Sequence, residues 1–361
     1  VTESGTPAPG NRDLGTRAGE SRELGTQAPQ SRDAASTDPG PALRKISKAV
    51  GRWLDTHLAP GKKVTVACSG GADSLALAAA TMAEAPRQGY PVAAVIVDHQ
   101  LQHGSAARSE QTAAVLREMG YIDVKVATVR VTRDGGMEAA ARRARYDALH
   151  PLAAGGAILL GHTLDDQAET VLLGLGRGSG ARSISGMQAF TKPYGRPLLG
   201  LRRIDTEAAC AEMDREPWQD PHNVDPAFTR VRLRREVLPL LEEVLGGGVA
   251  QALARTADQL REDAQVLDAL AVAALQKSVR PTAKGANALD VAQVAEQPVA
   301  LRRRVLRLWL HMAGVTGITS DHLLRLDRTL MTPQATTSSV RLPGHLDAVA
   351  VAGKLELHPA R

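Results

Sequence analysis

Six consecutive residues, Ser69, Gly70, Gly71, Ala72, Asp73 and Ser74, combine what a polyanion-binding turn needs. They follow an apolar run at 64–68 and lead into an apolar stretch of helical character at 74–84. The two glycines let the main chain turn sharply and come close to an anion. The loop N–H groups and the start of the helix then present unpaired donors and partial positive charge to a phosphate. Ser69 and Ser74 add hydroxyl donors. Asp73 is out of place beside a phosphate unless a cation lies between them, and Mg²⁺ bridges carboxylate and phosphate oxygens in this way. The plainer alternative is a glycine-rich turn with Ser and Asp as helix caps. It is the weaker one, because the strand–loop–helix context is what a phosphate site requires. No G-x-x-x-x-G-K-[ST] segment occurs in the chain, which argues against phosphoryl transfer by a P-loop enzyme.

A second constellation runs from Leu160 to Thr170 and holds His162, Asp165, Asp166 and Glu169. Three carboxylates within about one turn are tolerated at a helix N-terminus, where the dipole favours negative charge. Asp166 and Glu169 are three apart and share a face. A capping box, with Asp166 as cap and Glu169 as its partner, accounts for the same pattern, and the two readings can coexist. His162 alone is equally well a hydrogen-bonding structural residue.

These residues need a scaffold that brings strand ends together. Apolar runs at 64–68, 92–97 and 157–160 and an extended run at 124–131 alternate with helical patterns at 74–84, 105–119, 137–153 and 164–175. Such alternation predicts an α/β parallel sheet covered on both faces, with ligands at the carboxyl ends of the strands. Residues 1–40 are rich in Gly, Pro, Ser, Thr and Ala and repeat with a period of ten, so they are predicted to be a disordered low-complexity tail. Residues 41–246 form the predicted catalytic domain and 247–361 a smaller, mainly helical C-terminal domain. The latter carries helices at 249–276, 298–312 and 320–330 and a hairpin at 339–358. A basic helix at 228–245 joins them.

The chain has 361 residues, a formal net charge of +5 and two cysteines, Cys68 and Cys210, without a C-x-x-C pair. Disulfide scaffolds, zinc ribbons and iron–sulfur sites are therefore disfavoured. No apolar stretch approaches a membrane span, and the N-terminus lacks a signal-peptide core, so a cytoplasmic location is expected. The positive charge suits a polyanionic partner. Arg230, Arg232, Arg234 and Arg235, and separately Arg302, Arg303, Arg304 and Arg307, are candidate RNA-phosphate contacts; solvated charged faces are the alternative. A metal site from His99, His103 and His162 is a weaker reading.

Ser-Gly-Gly-x-Asp-Ser resembles the signature of the PP-loop ATP pyrophosphatases, which cleave ATP between the α- and β-phosphates. The wider set of motifs is similar to the tRNA(Ile)-lysidine synthetase family. It comprises Asp98-His99 after the second strand, Glu138 with Arg142, Arg145 and Tyr146, the run from Gly161 to Thr170, then Arg177-Gly178, Gly186-Met187, Arg196-Pro197, Trp218, Asp220 and Asn223. Gln102 stands where that family usually has a basic residue, and Val231 where it often has Asn. The resemblance implies an adenine nucleotide α-hydrolase-like domain that uses ATP and Mg²⁺. It implies ligation of L-lysine to C2 of the wobble cytidine of a CAU-anticodon tRNA(Ile) through an adenylated cytidine. It further implies ATP contacts from residues 69–74, Asp98, His99 and His162, Mg²⁺ at Asp73, lysine at Asp166 and Glu169 with Arg142 nearby, and tRNA at Arg230, Arg232 and Arg235. A homodimer is compatible with the sequence. Two alternatives stay open: another PP-loop tRNA-modifying or amidating enzyme, and a non-catalytic nucleotide- or RNA-binding module. The first would want a C-x-x-C pair or an amidase cysteine; the second would not need Asp73, Asp166 and Glu169 together.

Overall fold

A computed structural model describes residues 39–360 except 101, 103, 132–136, 179, 221–223, 282–286 and 333–337. Almost all of the predicted tail lies outside the described residues, as do His103, Asn223 and the side chain of Glu138.

Helix α1 (Pro41–His57) begins on a proline, whose fixed φ suits the first turn, and buries Ile46, Val50, Trp53 and Leu54. Strands and helices then alternate as β1 (Val64–Ala67), α2 (Ala72–Glu84), β2 (Val92–Asp98), α3 (Ser105–Glu118), β3 (Val124–Thr128), α4 (Met137–Leu149), β4 (Ala157–Leu160) and α5 (Leu164–Gly176). A short helix α6 (Ala181–Ile184) precedes the small strands β5 (Phe190–Thr191) and β6 (Tyr194–Gly195), and α7 (Arg203–Glu212) follows. The sheet order is β3-β2-β1-β4-β6-β5. All neighbours are parallel except the β5–β6 pair. β4 is buried along its whole length, as expected of a central parallel strand with helices on both faces. This is the predicted α/β domain, with the phosphate loop leaving the carboxyl end of β1 between β2 and β4. The edge hairpin and α7 are additions that the alternation did not announce.

The predicted basic helix at 228–245 is a composite. It comprises α8 (Thr229–Arg232), a π-helical turn at Leu233–Val237 and α9 (Leu238–Val244), which has a proline in its first turn. Beyond it run α10 (Val249–Ser278), β7 (Val279–Pro281), β8 (Asn287–Asp290), α11 (Val291–Ala295), α12 (Val299–Met312), α13 (Ser320–Met331), β9 (Ser338–Leu342), β10 (Leu346–Val351) and β11 (Lys354–Pro359). The three long helices match prediction. The single hairpin becomes a five-stranded antiparallel sheet ordered β7-β8-β11-β10-β9. β7 and β8 span only three and four residues, too short to show a period. The β10–β11 turn is made by Ala352 (φ 47°) and Gly353 (φ 77°), a positive-φ pair without the Asn-Gly signature.

Helix α10 belongs to two cores. Near its start Ala250 and Ala254 pack with Leu164, Ala168 and Leu238. Near its end Ala271, Ala274 and Leu275 pack with Trp309, Leu326 and Leu355. Residues 40–361 form one compact unit. Among the described residues no single helix is long and apolar enough to cross a membrane.

Candidate active site

The loop after β1 has the build expected of a phosphate cradle. Gly70 has φ +84°, a left-handed conformation that side-chain-bearing residues adopt only with strain. The hydroxyl of Ser74 accepts from the Ser69 N–H at 3.1 Å and donates to the Gly71 carbonyl at 2.9 Å, so it ties the loop to itself. The Trp218 N–H donates to the Gly70 carbonyl at 2.9 Å and holds the following segment over the loop. Trp218 in turn carries the Arg108 guanidinium 5.4 Å from its ring centre. Asp73 lies in the first turn of α2, where the helix dipole supports its charge.

β4 delivers the second half of the site. At its end Gly161 lies against the loop: an added Cβ would sit 2.9 Å from the Asp73 carbonyl carbon and oxygen. Gly161→Ala is therefore expected to push β4 and the loop apart, costing about 1–3 kcal/mol of stability. It should also reduce nucleotide turnover by about tenfold or more, since sub-ångström misplacement is heavily penalised. Chemical denaturation together with turnover of the purified variant checks this; wild-type values in both would show that the close approach is not needed.

Thr163, not Asp166, caps α5. The Asp166 carboxylate reaches back to accept from the Thr163 N–H at 2.8 Å and from its hydroxyl at 3.1 Å. The box anticipated from sequence is thus displaced by one turn position. Asp165 leaves the cluster and binds Arg202 and the Arg203 N–H. Gln167, between the two inward carboxylates, is clipped to the Gly186-Met187 turn: it accepts from the Met187 N–H at 2.6 Å and donates to the Met187 carbonyl at 2.9 Å.

The structure brings Asp73, Asp166 and Glu169 together through two arginines. Arg203 donates to Asp73 at 3.2 Å and to Asp166 at 2.8 Å and lies 3.9 Å from Glu169. Arg234 donates twice to Glu169, at 2.7 and 3.2 Å, and to Asp166 at 3.4 Å. Thr206 donates a short hydrogen bond to Asp73. The pattern fills both oxygens of Asp166 twice over, which exhausts a carboxylate's acceptor positions, and leaves acceptor capacity on Asp73 and Glu169. Three carboxylates and two guanidiniums sum to a net charge of −1, so the cluster can take one more positive group.

Burial sets the protonation balance. It pushes the Asp73 and Glu169 carboxyls above their ordinary values, with Arg203 and Arg234 opposing. Burial also works against the Asp166 charge, but Arg203, with the Thr163 N–H and Arg234, holds its carboxyl below the usual range. Arg203 is likewise desolvated, yet its three carboxylate neighbours drive its pKa above that of ordinary arginine. His162 is lowered to about 4, chiefly by burial, and its Nδ1 has no partner among the described residues. It is therefore a neutral imidazole beside Asp166. His99 is also lowered to about 4 by burial and by Arg145, whose Nε lies 3.4 Å from its Nε2; its Nδ1 is likewise without a partner among the described residues. Asp98 is buried and accepts from the Gln100 N–H at 2.9 Å, which fixes the turn that carries His99. Arg142 is exposed and stacks over Tyr146 at 5.0 Å, without contact to the carboxylates. Gln102 donates to Asp220 at 2.8 Å, so the unusual glutamine keeps a link between two loops at the strand ends. Val231 is simply buried.

The arginine clusters divide. Arg234 faces the carboxylates, whereas Arg232 pairs with Glu236 on the exposed side and Arg235 donates to the Val224 carbonyl. On α12, Arg302 and Arg303 both bind Asp327, and Arg304 binds Asp268 together with Arg182. That cluster ties elements together. Sequence reasoning did not find Arg203 and Thr206 and placed Arg234 among RNA contacts; the only signal was a pair of arginines, Arg202 and Arg203, ahead of an unrecognised helix. Cys68 and Cys210 are buried, with both thiols pushed up by burial, that of Cys210 to about 11. Among the described residues no three His, Cys, Asp or Glu side chains form a ready-made metal cage.

A PP-loop domain profile matches residues 42–241, and a TilS substrate-binding domain profile matches residues 289–355. A tRNA(Ile)-lysidine synthase of Nocardia farcinica is 56% identical over 281 residues, covering 77% of this chain and 85% of that protein. Those of Rhodococcus erythropolis and Mycobacterium tuberculosis (strain H37Rv) are 53% and 50% identical over 287 residues, covering 80% of this chain and 85% and 87% of theirs. A solved U34-tRNA thiolase from Methanococcus maripaludis, with a [4Fe-4S] cluster, is 16% identical. It aligns with a TM-score of 0.51 over 61% of this chain and 80% of that one, which shows a shared fold alone. With relatives at such identity along most of its length, the chain belongs to the tRNA(Ile)-lysidine synthase family.

Proposed function

We propose that this protein uses ATP to join L-lysine to C2 of the wobble cytidine of a CAU-anticodon tRNA(Ile), releasing pyrophosphate and AMP. Residues 41–246 act as the catalytic domain and 247–361 as the substrate-binding domain, in the cytoplasm. The observation that carries this reading is the carboxylate–arginine cluster directly at a phosphate-binding loop, with a net charge of −1. Such a site can hold a polyphosphate on one side and attract a cation on the other.

In this reading the cytidine O2 attacks the α-phosphate held over residues 69–74, with Asp98, His99 and His162 around the nucleotide. A neutral His162 is suited to that neighbourhood, because its unpartnered nitrogen offers a hydrogen bond without repelling the base. The residues fit Mg²⁺: Asp73 offers a hard oxygen with free acceptor capacity, and the cluster has negative charge to spare. When bound, Mg²⁺ supplies charge neutralisation for the departing pyrophosphate. Exposed Arg232 and Arg235, with half-buried Arg230, contact the tRNA backbone, and Arg142 lies near the lysine.

The second step needs lysine as a free amine, although it arrives as an ammonium whose ordinary pKa is about 10.4. Asp166 and Glu169 form its pocket with different duties. Asp166, saturated by Thr163, Arg203 and Arg234, fixes the geometry and contributes charge. Glu169, raised by burial and with acceptor capacity left, takes the ammonium proton as general base. Measuring pyrophosphate release and lysidine formation separately tests this. Glu169→Gln should preserve lysine-independent pyrophosphate release and slow lysidine formation about a hundredfold. Asp166→Asn should raise the lysine requirement and also loosen the cluster. Equal loss of both steps in the Glu169→Gln variant, with lysine binding unchanged, would reassign Glu169 to the ATP side.

A further inference from the structure

We infer that a notch between α13 and the β9–β10 hairpin is a binding site for an RNA backbone phosphate. The inference rests on the tRNA reading above. The notch has a volume of about 500 Å³ and is lined by Arg325, Arg328, Thr329, Ser339 and Arg341, with Asp347 at its side. Three guanidiniums in one depression are unusual unless carboxylates neutralise them, and here neutralisation is partial. Arg325 meets Asp321 through Nε at 2.9 Å, and Arg341 meets Asp347 through Nε at 2.6 Å. In both arginines only that one edge is engaged among the described residues; the terminal Nη groups remain available. Arg328 has no acidic partner among the described residues, and neither the Thr329 nor the Ser339 hydroxyl has a hydrogen-bond partner among them.

The tethers matter. Arg341 and Asp347 are register partners on β9 and β10, so the carboxylate holds the guanidinium in place across the ladder. Asp321 does the same for Arg325 one helical turn away. A pre-oriented guanidinium loses less rotamer entropy when it binds an oxyanion. Two anchored forks, one free fork and two hydroxyls supply the donors that phosphate oxygens accept, and supply no acceptor-rich surface for a cation. In the other basic cluster of this half, on α12, Arg302, Arg303 and Arg304 are bound to Asp327 and Asp268. The notch thus gathers guanidinium that the neighbouring carboxylates only partly neutralise.

The test uses the full chain with CAU-anticodon tRNA(Ile). Binding is measured across a salt series for the wild type, Arg328→Ala, Arg328→Lys and Arg325→Ala/Arg341→Ala. Arg328 is exposed on a helix, so its alanine variant should keep the wild-type melting temperature. Arg328→Ala should weaken tRNA binding about tenfold at moderate salt and reduce the slope of log K against log salt by about one. Arg328→Lys should recover the slope but only part of the affinity, and the double variant should lose more than either. AMP formation at saturating tRNA should be unchanged. A wild-type slope and affinity in Arg328→Ala overturns the inference while leaving lysidine synthesis standing. Stabilisation of the wild type by inorganic phosphate, lost in Arg328→Ala without any change in tRNA binding, assigns the notch to a free anion and also overturns it. Failure of the wild type to bind the tRNA overturns both readings.

Discussion

Replacing Arg203 by alanine should abolish turnover and cost about 3–5 kcal/mol of stability at neutral pH, the usual result of breaking a buried ion cluster from one side. Arg203 is the one side chain among the described residues in reach of all three carboxylates, at 3.2, 2.8 and 3.9 Å. Without it, Asp166 and Glu169 share only Arg234, Asp73 keeps only Thr206, and the local charge goes from −1 to −2. The deficit should depend on pH with a definite sign. In the wild type Asp166 is held below its ordinary value, so it contributes stability above the unfolded-state pKa and loses it as pH falls through the lower folded value. Asp73 and Glu169 are raised, so their contribution is full below the unfolded pKa and is lost as pH rises through the folded value. Losing Arg203 moves all three upward. The variant should then recover relative to wild type on acidification from neutral pH toward the ordinary carboxylate range, as the crowded carboxylates protonate. Urea denaturation at several pH values measures this. A deficit that stays constant with pH would mean that Arg203 acts by packing.

The second large effect is chemical without being structural. Asp73→Asn should leave thermal stability near wild type and cut ATP- and tRNA-dependent pyrophosphate release about a thousandfold, roughly 4 kcal/mol of barrier. Asparagine keeps the shape: its Oδ1 can still accept from Arg203, and its Nδ2 can donate to the Thr206 hydroxyl, which donates to the Arg203 carbonyl, while the charge that burial disfavours is gone. A residue whose charge the folded state disfavours, at the start of a helix in a phosphate loop, is retained for what the charge does. Asp73→Ala should lose activity to the same extent. A folded Asp73→Asn variant with near-normal pyrophosphate release would remove Asp73 from the proposed metal-binding role.

The phosphate loop was legible because its six residues are contiguous and sit at a strand-to-helix junction. The Asp166–Glu169 face was legible because helical spacing alone puts them together. Their counter-ions were not. Arg203 lies 130 positions from Asp73 and Arg234 lies 65 from Glu169, so only the folded chain brings them into contact. Arg234 also sits within a π-helical turn, where α-helical periodicity misassigns which face a residue presents. On α12 the sequence showed a run of arginines but not Asp268 and Asp327, which arrive from α10 and α13 and turn a candidate RNA surface into internal cross-links. The C-terminal sheet was half-seen for a simpler reason: β7 and β8 are shorter than any window in which alternation can be recognised.

Helix α10 works as a ruler. From Ala250, packed beside the catalytic helix, to Ala271, in the core under the C-terminal sheet, it runs uninterrupted for about 30 Å at 1.5 Å per residue. An RNA that engages both halves has to present its two contact points at the separation this rod sets. Substrates can then be sorted by the distance between features as well as by the bases they carry, and a ligand too short to reach both ends forgoes one set of contacts however well it fits the other.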